Sequence, residues 1–130
     1  MQRILFKSSK SSDDLVSDVV RDTMRAVINA KTASDLAKVY RSFVSLASSS
    51  KYSTQQLLQA GAGLACLRAL KLNHQPENTL AIFAYLIESP NRVEVFNLPG
   101  FRDTVPSYAM SGSKQALNIM WNMSDCEALA

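Results

Sequence analysis

Apolar residues recur at spacings of three and four along most of this chain, in runs too short for anything but brief helices. Val16, Val20, Met24, Val27 and Ile28 make the first run, and residues so spaced line one face of a helix with 3.6 residues per turn. Ser12, Asp13 and Asp14 precede it. They supply cap oxygens and negative charge to the unpaired amides of a helix N-terminus, so a helix is expected from Ser12 to about Asn29. A second opens at Ser34 or its neighbour and carries Leu36, Val39, Tyr40, Phe43, Leu46 and Ala47. The run Ser48 to Ser50 ends it, because serine hydroxyls compete for backbone hydrogen bonds.

Ser53 or Thr54 caps a third stretch with Leu57, Leu58, Leu64, Leu67 and Leu70. Gly61 and Gly63 interrupt it, and their helix cost marks a break between a short helix and a longer one. Asn73 to Gln75 form a turn, Pro76 suits a first helical position, and Leu80, Ile82, Phe83, Leu86 and Ile87 make the next stripe. Pro90 starts a short element with Val93, Val95 and Phe96, which Pro99 and Gly100 close. A further short helix is expected from Phe101 to Pro106, where proline disrupts the pattern. Ala116, Leu117, Ile119, Met120, Trp121 and Met123 lie on the last helix. The expectation is an all-α chain of six or seven short helices, since strand-like alternation is nowhere sustained.

Hydrophobic residues at 47% supply a core for one domain of 130 residues, and charged residues at only 19% argue against disorder through charge. Residues 1–11 read as a flexible or docking arm, and residues 12–130 as a single helical domain. Cys66 and Cys126 are too few and too far apart for a disulfide framework, and Cys66 falls in an apolar helical run where a free thiol is ordinary packing. With no apolar run of membrane-spanning length and no signal-peptide core, a reducing, cytoplasmic setting is expected.

The last helices echo earlier ones. TLAIFAYLI, from Thr79, lies over ALNIMWNMS, from Ala116, at an offset of 37 residues. Leu80 then meets Leu117, Ile82 meets Ile119, Phe83 meets Met120 and Leu86 meets Met123. Tyr40, Phe43 and Leu46 form a fainter copy about 40 residues before Leu80, Phe83 and Leu86. Two architectures fit: stacked units, each burying the apolar face of the next, or a compact bundle of similar helices in chance register.

The stretch SPNRVEVFNLPGFRDTVPSYAMSGSKQALNIMWNMS, residues 89–124, resembles an armadillo unit: short helix, glycine, second helix, small polar turn, third helix ending in an asparagine. The likeness extends more weakly back to residue 53. It implies an armadillo-like α-solenoid fragment, with Asn122 at the place where such units hold a bound peptide's backbone. The preceding unit has Tyr85 there, Asn118 replaces the tryptophan that peptide-binding members carry one turn earlier, and Pro106 intrudes on the second helix.

Chemistry-bearing constellations are sparse. His74 is the single histidine and sits in a turn, where a solvated loop residue is expected rather than a base. One histidine and two distant cysteines match no structural zinc spacing. Gly61, Ala62 and Gly63 lack the preceding strand and following Lys-Ser or Lys-Thr of a phosphate loop, so a tight turn or close helix crossing is expected instead. Asp13 and Asp14 are explained by capping, and Asp18 and Asp22 by a solvent face shared with Arg21 and Arg25.

The chain therefore reads as non-enzymatic, without cofactor or metal, binding a protein partner through a helical face made of Tyr85, Asn118, Trp121 and Asn122. Trp121 either packs in the core or anchors an interface, where tryptophan is enriched. The apolar end of the chain also predicts self-association. A rival reading is nucleic-acid binding: of 14 basic residues against 11 acidic, Arg25, Lys31, Lys38 and Arg41 in the first third are the candidates for phosphate contact.

Overall fold

The computed structural model describes residues 12–87 and 92–123, with side chains from residue 18 onward. The expected 1–11 arm, Pro90, Cys126 and the chain end beyond Met123 lie outside the described residues. Within them the chain is all α-helical: α1 Ser12–Ile28, α2 Ala33–Ala47, α3 Thr54–Gln59, α4 Ala62–Lys71, α5 Pro76–Leu86, α6 Arg92–Phe96, α7 Phe101–Met110 and α8 Lys114–Met123.

Local chemistry sets most boundaries. Thr32 caps α2 by accepting from the Asp35 amide, and the helix opens at Ala33, beside Ser34, as expected. Ser53 caps α3 through a reciprocal box in which its hydroxyl accepts from the Gln56 amide and Gln56 Oε1 accepts from the Ser53 amide, satisfying two otherwise orphaned donors. Gly61 stands between α3 and α4 at φ +107°, a left-handed conformation that glycine adopts without a Cβ clash. Gly63 serves the other expectation, a close approach. A Cβ there would collide with Leu98, on the segment between α6 and α7.

One helix departs from expectation. α7 runs from Phe101 through Pro106 to Met110 instead of stopping at the proline. The pyrrolidine nitrogen forfeits one intrahelical bond, but packing holds the helix. Phe101 and Val105 are fully buried, and the Tyr108 hydroxyl donates to the Leu70 carbonyl on α4 at 2.7 Å.

The helices form two layers. α1 packs on α4 and α4 on α7; in the other layer α5 packs on α8; and the pairs α1 with α2, α4 with α5 and α7 with α8 join the layers. The order short helix, glycine at positive φ, second helix, turn, third helix thus occurs twice, as α3–α4–α5 and α6–α7–α8. The core runs from α1 and α2 through both copies by way of Met24, Phe43, Leu57, Leu70, Phe83, Phe101 and Ile119, all without solvent exposure or nearly so. Phe83 and Phe101 meet edge to face with ring centroids 5.7 Å apart, a favoured aromatic geometry.

Candidate functional site

α8 turns Ala116, Ile119 and Met123 into the core. Leu117 is not with them: it is 52% exposed, and Trp121, one turn further, is 74% exposed. α8 therefore divides its apolar residues between an inner and an outer line, with Met120 partly buried. Its inner line starts at Ala116, and Leu117 and Trp121 stand together at spacing i, i+4 on the outside. Of the two readings of Trp121, exposure excludes core packing.

The offset of 37 accounts for the inner line. Thr79, Ile82 and Leu86 of α5 are buried, as are their counterparts Ala116, Ile119 and Met123. Leu80, however, is fully buried where Leu117 is half exposed. Leu117 and Trp121 occupy the flank that α5 covers with Leu80 and partly buried Ala84. Asn118 and Asn122 are also exposed, on the other flank, matching exposed Ala81 and Tyr85. The four nominated residues thus lie on two adjoining helices, with Trp121 on a different side of α8 from the two asparagines.

Tyr85 opens into a groove between α2 and α5. One cavity of about 420 Å³ is lined by Ala47, Ser49, Asn78, Ala81 and Tyr85. A second, of about 610 Å³, is lined by Tyr40, Arg41, Val44, His74 and Asn78, so Asn78 borders both. The groove is held by a polar knot that helical periodicity does not foretell. Tyr40 and fully buried Thr79 share a hydrogen bond of 2.6 Å. Asn78 Nδ2 donates to the Tyr40 hydroxyl at 3.4 Å, and Thr79 Oγ1 donates to the His74 carbonyl at 3.3 Å. Burial pushes the Tyr40 phenol above its ordinary pKa, against the opposing pull of its bonds to Thr79 and Asn78. His74 is not a freely solvated loop residue: it is half-buried, edge-on to the Tyr40 ring at 4.7 Å.

The basic residues of the rival reading are all exposed. Arg41 lines the α2–α5 groove, and Lys38 stands one turn before it on α2. Lys31 lies in the α1–α2 connection, and Arg25 on α1 faces Asp22 at 3.9 Å with both side chains largely solvated, a pair of little energetic consequence. Among the described residues no group of three or more His, Cys, Asp or Glu is placed to hold a metal ion, and no helix is long and apolar enough to cross a membrane.

Sequence reasoning missed Arg68 and Lys71, which line a third cavity between α1, α4 and α7. A signal for them exists: Leu64, Leu67, Arg68 and Lys71 follow one another at helical spacing, so a basic end continues an apolar stripe.

No protein-family model, curated protein or solved structure matches this chain. What the fold and surface define is an all-α, multi-helix domain.

Proposed function

We propose that this chain is a non-enzymatic protein-interaction module built from armadillo-like units, and that the outer flank of α8 takes another helix, in the first instance from a second copy of the chain. The proposal rests on the contrast between Leu80 and Leu117. The flank of α5 is covered and fully buried at Leu80, while the matching flank of α8 presents Leu117 and Trp121 to solvent. Exposed tryptophan and leucine side by side make a compact apolar anchor of the kind in which binding energy concentrates.

The unit order supports the armadillo-like reading, as do the polar ties at the repeat distance. Tyr40 reaches Thr79 across 39 residues and Tyr108 reaches the Leu70 carbonyl across 38. Stacked units bury one another's faces in this way. Tyr85 and Asn118 stand where the resemblance calls for asparagine and tryptophan, so the asparagine-held extended peptide is not part of the proposal. Cys66, a buried free thiol whose ionisation burial suppresses, suits a reducing compartment such as the cytoplasm.

Sedimentation equilibrium over a wide protein concentration range tests the proposal. The native chain is expected to associate reversibly and Trp121→Ala to remain monomeric with unchanged far-UV circular dichroism. A native chain that stays monomeric at every concentration, or a Trp121→Ala chain that associates as strongly, overturns it.

A further inference from the structure

The cavity between α1, α4 and α7 has a volume of about 590 Å³ and opens to solvent, within the range of ligand-binding clefts. Ile28 and the α4 residues Leu64 and Leu67 give it an apolar floor. Arg68 and Lys71 continue the same face of α4, and Asp103 stands across from them on α7. Two features mark this as more than a gap between helices. Arg68 is half-buried with its Nε packed away without a hydrogen-bond partner, so its terminal guanidinium nitrogens are the groups that it offers to the cavity. Neither basic group is ion-paired with Asp103 among the described residues, so the positive charge is not consumed internally.

From this we infer a docking site for an acidic segment of a partner protein, in which a carboxylate meets Arg68 and Lys71 while a neighbouring apolar side chain lies on Ile28, Leu64 and Leu67. The chemistry selects that occupant. An arginine fork binds a carboxylate through paired, charge-assisted bonds. An apolar floor beside it rewards an aliphatic neighbour, and Asp103 accepts a peptide backbone N–H. A nucleic-acid strand fits less well, because its sugars and phosphates offer no aliphatic side chain for the apolar floor of Ile28, Leu64 and Leu67. The site lies in the other layer from Trp121 and is independent of association through α8.

Fluorescence polarisation on the full chain at low salt tests this, with a labelled peptide of alternating Glu and Leu and an analogue in which Gln replaces every Glu. The Glu peptide is expected to bind, with the Gln analogue and the Arg68→Gln/Lys71→Gln variant each weakening binding by at least about tenfold, the loss that removal of one charge-assisted hydrogen bond alone would give. A charge-matched control, Lys38→Gln/Arg41→Gln, is expected to bind like the native chain. Equal binding of the Gln analogue, equal weakening in the control, or displacement of the peptide by a single-stranded oligonucleotide acting through Arg68 and Lys71 overturns the inference. Amide chemical shifts of the unmutated chain provide a measurement that no folding defect can confuse. Peptide-induced changes are expected at Leu67, Arg68, Asp103 and Thr104; changes confined to the α2–α5 groove count against the site.

Discussion

Helices α5 and α8 each close a stretch of short helix, glycine, second helix and turn, yet α5 buries Thr79, Leu80, Ile82, Phe83 and Leu86 whereas α8 buries only Ala116, Ile119 and Met123. Thr79, Ile82 and Leu86 match Ala116, Ile119 and Met123 at the offset of 37, while Phe83 is buried and its counterpart Met120 only partly so. The difference is plainest on one flank, where Leu80 is covered and Leu117 is open. An apolar stripe therefore records two things at once: which side faces the helix's own unit, and which side has a neighbour beyond it. α5 has α8 packed against it, and the outer flank of α8 is the surface proposed to take a partner.

Truncating the matched leucines tests that contrast most severely. Leu80→Ala is expected to cost about 2–5 kcal/mol, the range for a buried leucine, while Leu117→Ala stays within about 0.5 kcal/mol, as surface changes do. Urea unfolding followed by circular dichroism on dilute protein reads both; similar destabilisation at the two positions would show that the flank of α8 is not open.

The interhelical glycines offer a second matched pair. Gly61 and Gly100 precede α4 and α7 at φ +107° and +91°, so an alanine at either is strained, by roughly 1–3 kcal/mol. Only at Gly61 does the added Cβ crowd a neighbour, lying 3.3 Å from Ile28 Cδ1, whereas at Gly100 its nearest neighbour is Thr104 Oγ1 at 4.0 Å. Gly61→Ala is thus expected to lower the melting temperature further than Gly100→Ala; the reverse order would mean that Ile28 yields freely.

The two tyrosines that bond across the fold form a third pair, with effects no larger than those of the glycines. Tyr40→Phe removes a partner from buried Thr79 and is expected to cost about 1–3 kcal/mol, whereas Tyr108→Phe leaves the Leu70 carbonyl and Asn73 nearer water and is expected to cost less. Both phenols have raised pKa values through burial. Below the ordinary tyrosine value of about 10 both states hold the proton. Above it the unfolded chain releases the proton first, so the tyrosine contribution to stability is lost as pH rises through and beyond that value. Denaturation midpoints from neutral to alkaline pH should fall less steeply in Tyr40→Phe than in the native chain; parallel curves would remove Tyr40 from this account.

Much of this architecture is legible in the sequence. Local rules operate within a few residues, so Ser53 as a cap, Gly61 as a break, Pro76 as a helix start and the buried line Val20, Met24 and Val27 all stand where pattern and propensity put them. Pro106 misleads, because its local penalty is visible in the sequence while the burial of Phe101 and Val105, which outweighs one missing hydrogen bond, is not. The candidate site is less legible: Tyr85, Asn118, Trp121 and Asn122 fall on two related helices, as the offset of 37 implies, but on separate flanks that the offset does not distinguish.

Capping, turn chemistry and 3.6-residue periodicity act over a single turn, so the order of residues along the chain is enough to make its described part all-helical, to place most helix ends and to give α5 and α8 a common inward line. Packing alone turns Leu117 and Trp121 outward, ties Tyr40 to Thr79, and sets Arg68 and Lys71 around a cavity with Asp103. Each of these depends on which helix lies alongside. Exposure and side-chain pairing between helices arise from contacts across dozens of residues, and periodicity within one helix carries no record of its neighbours.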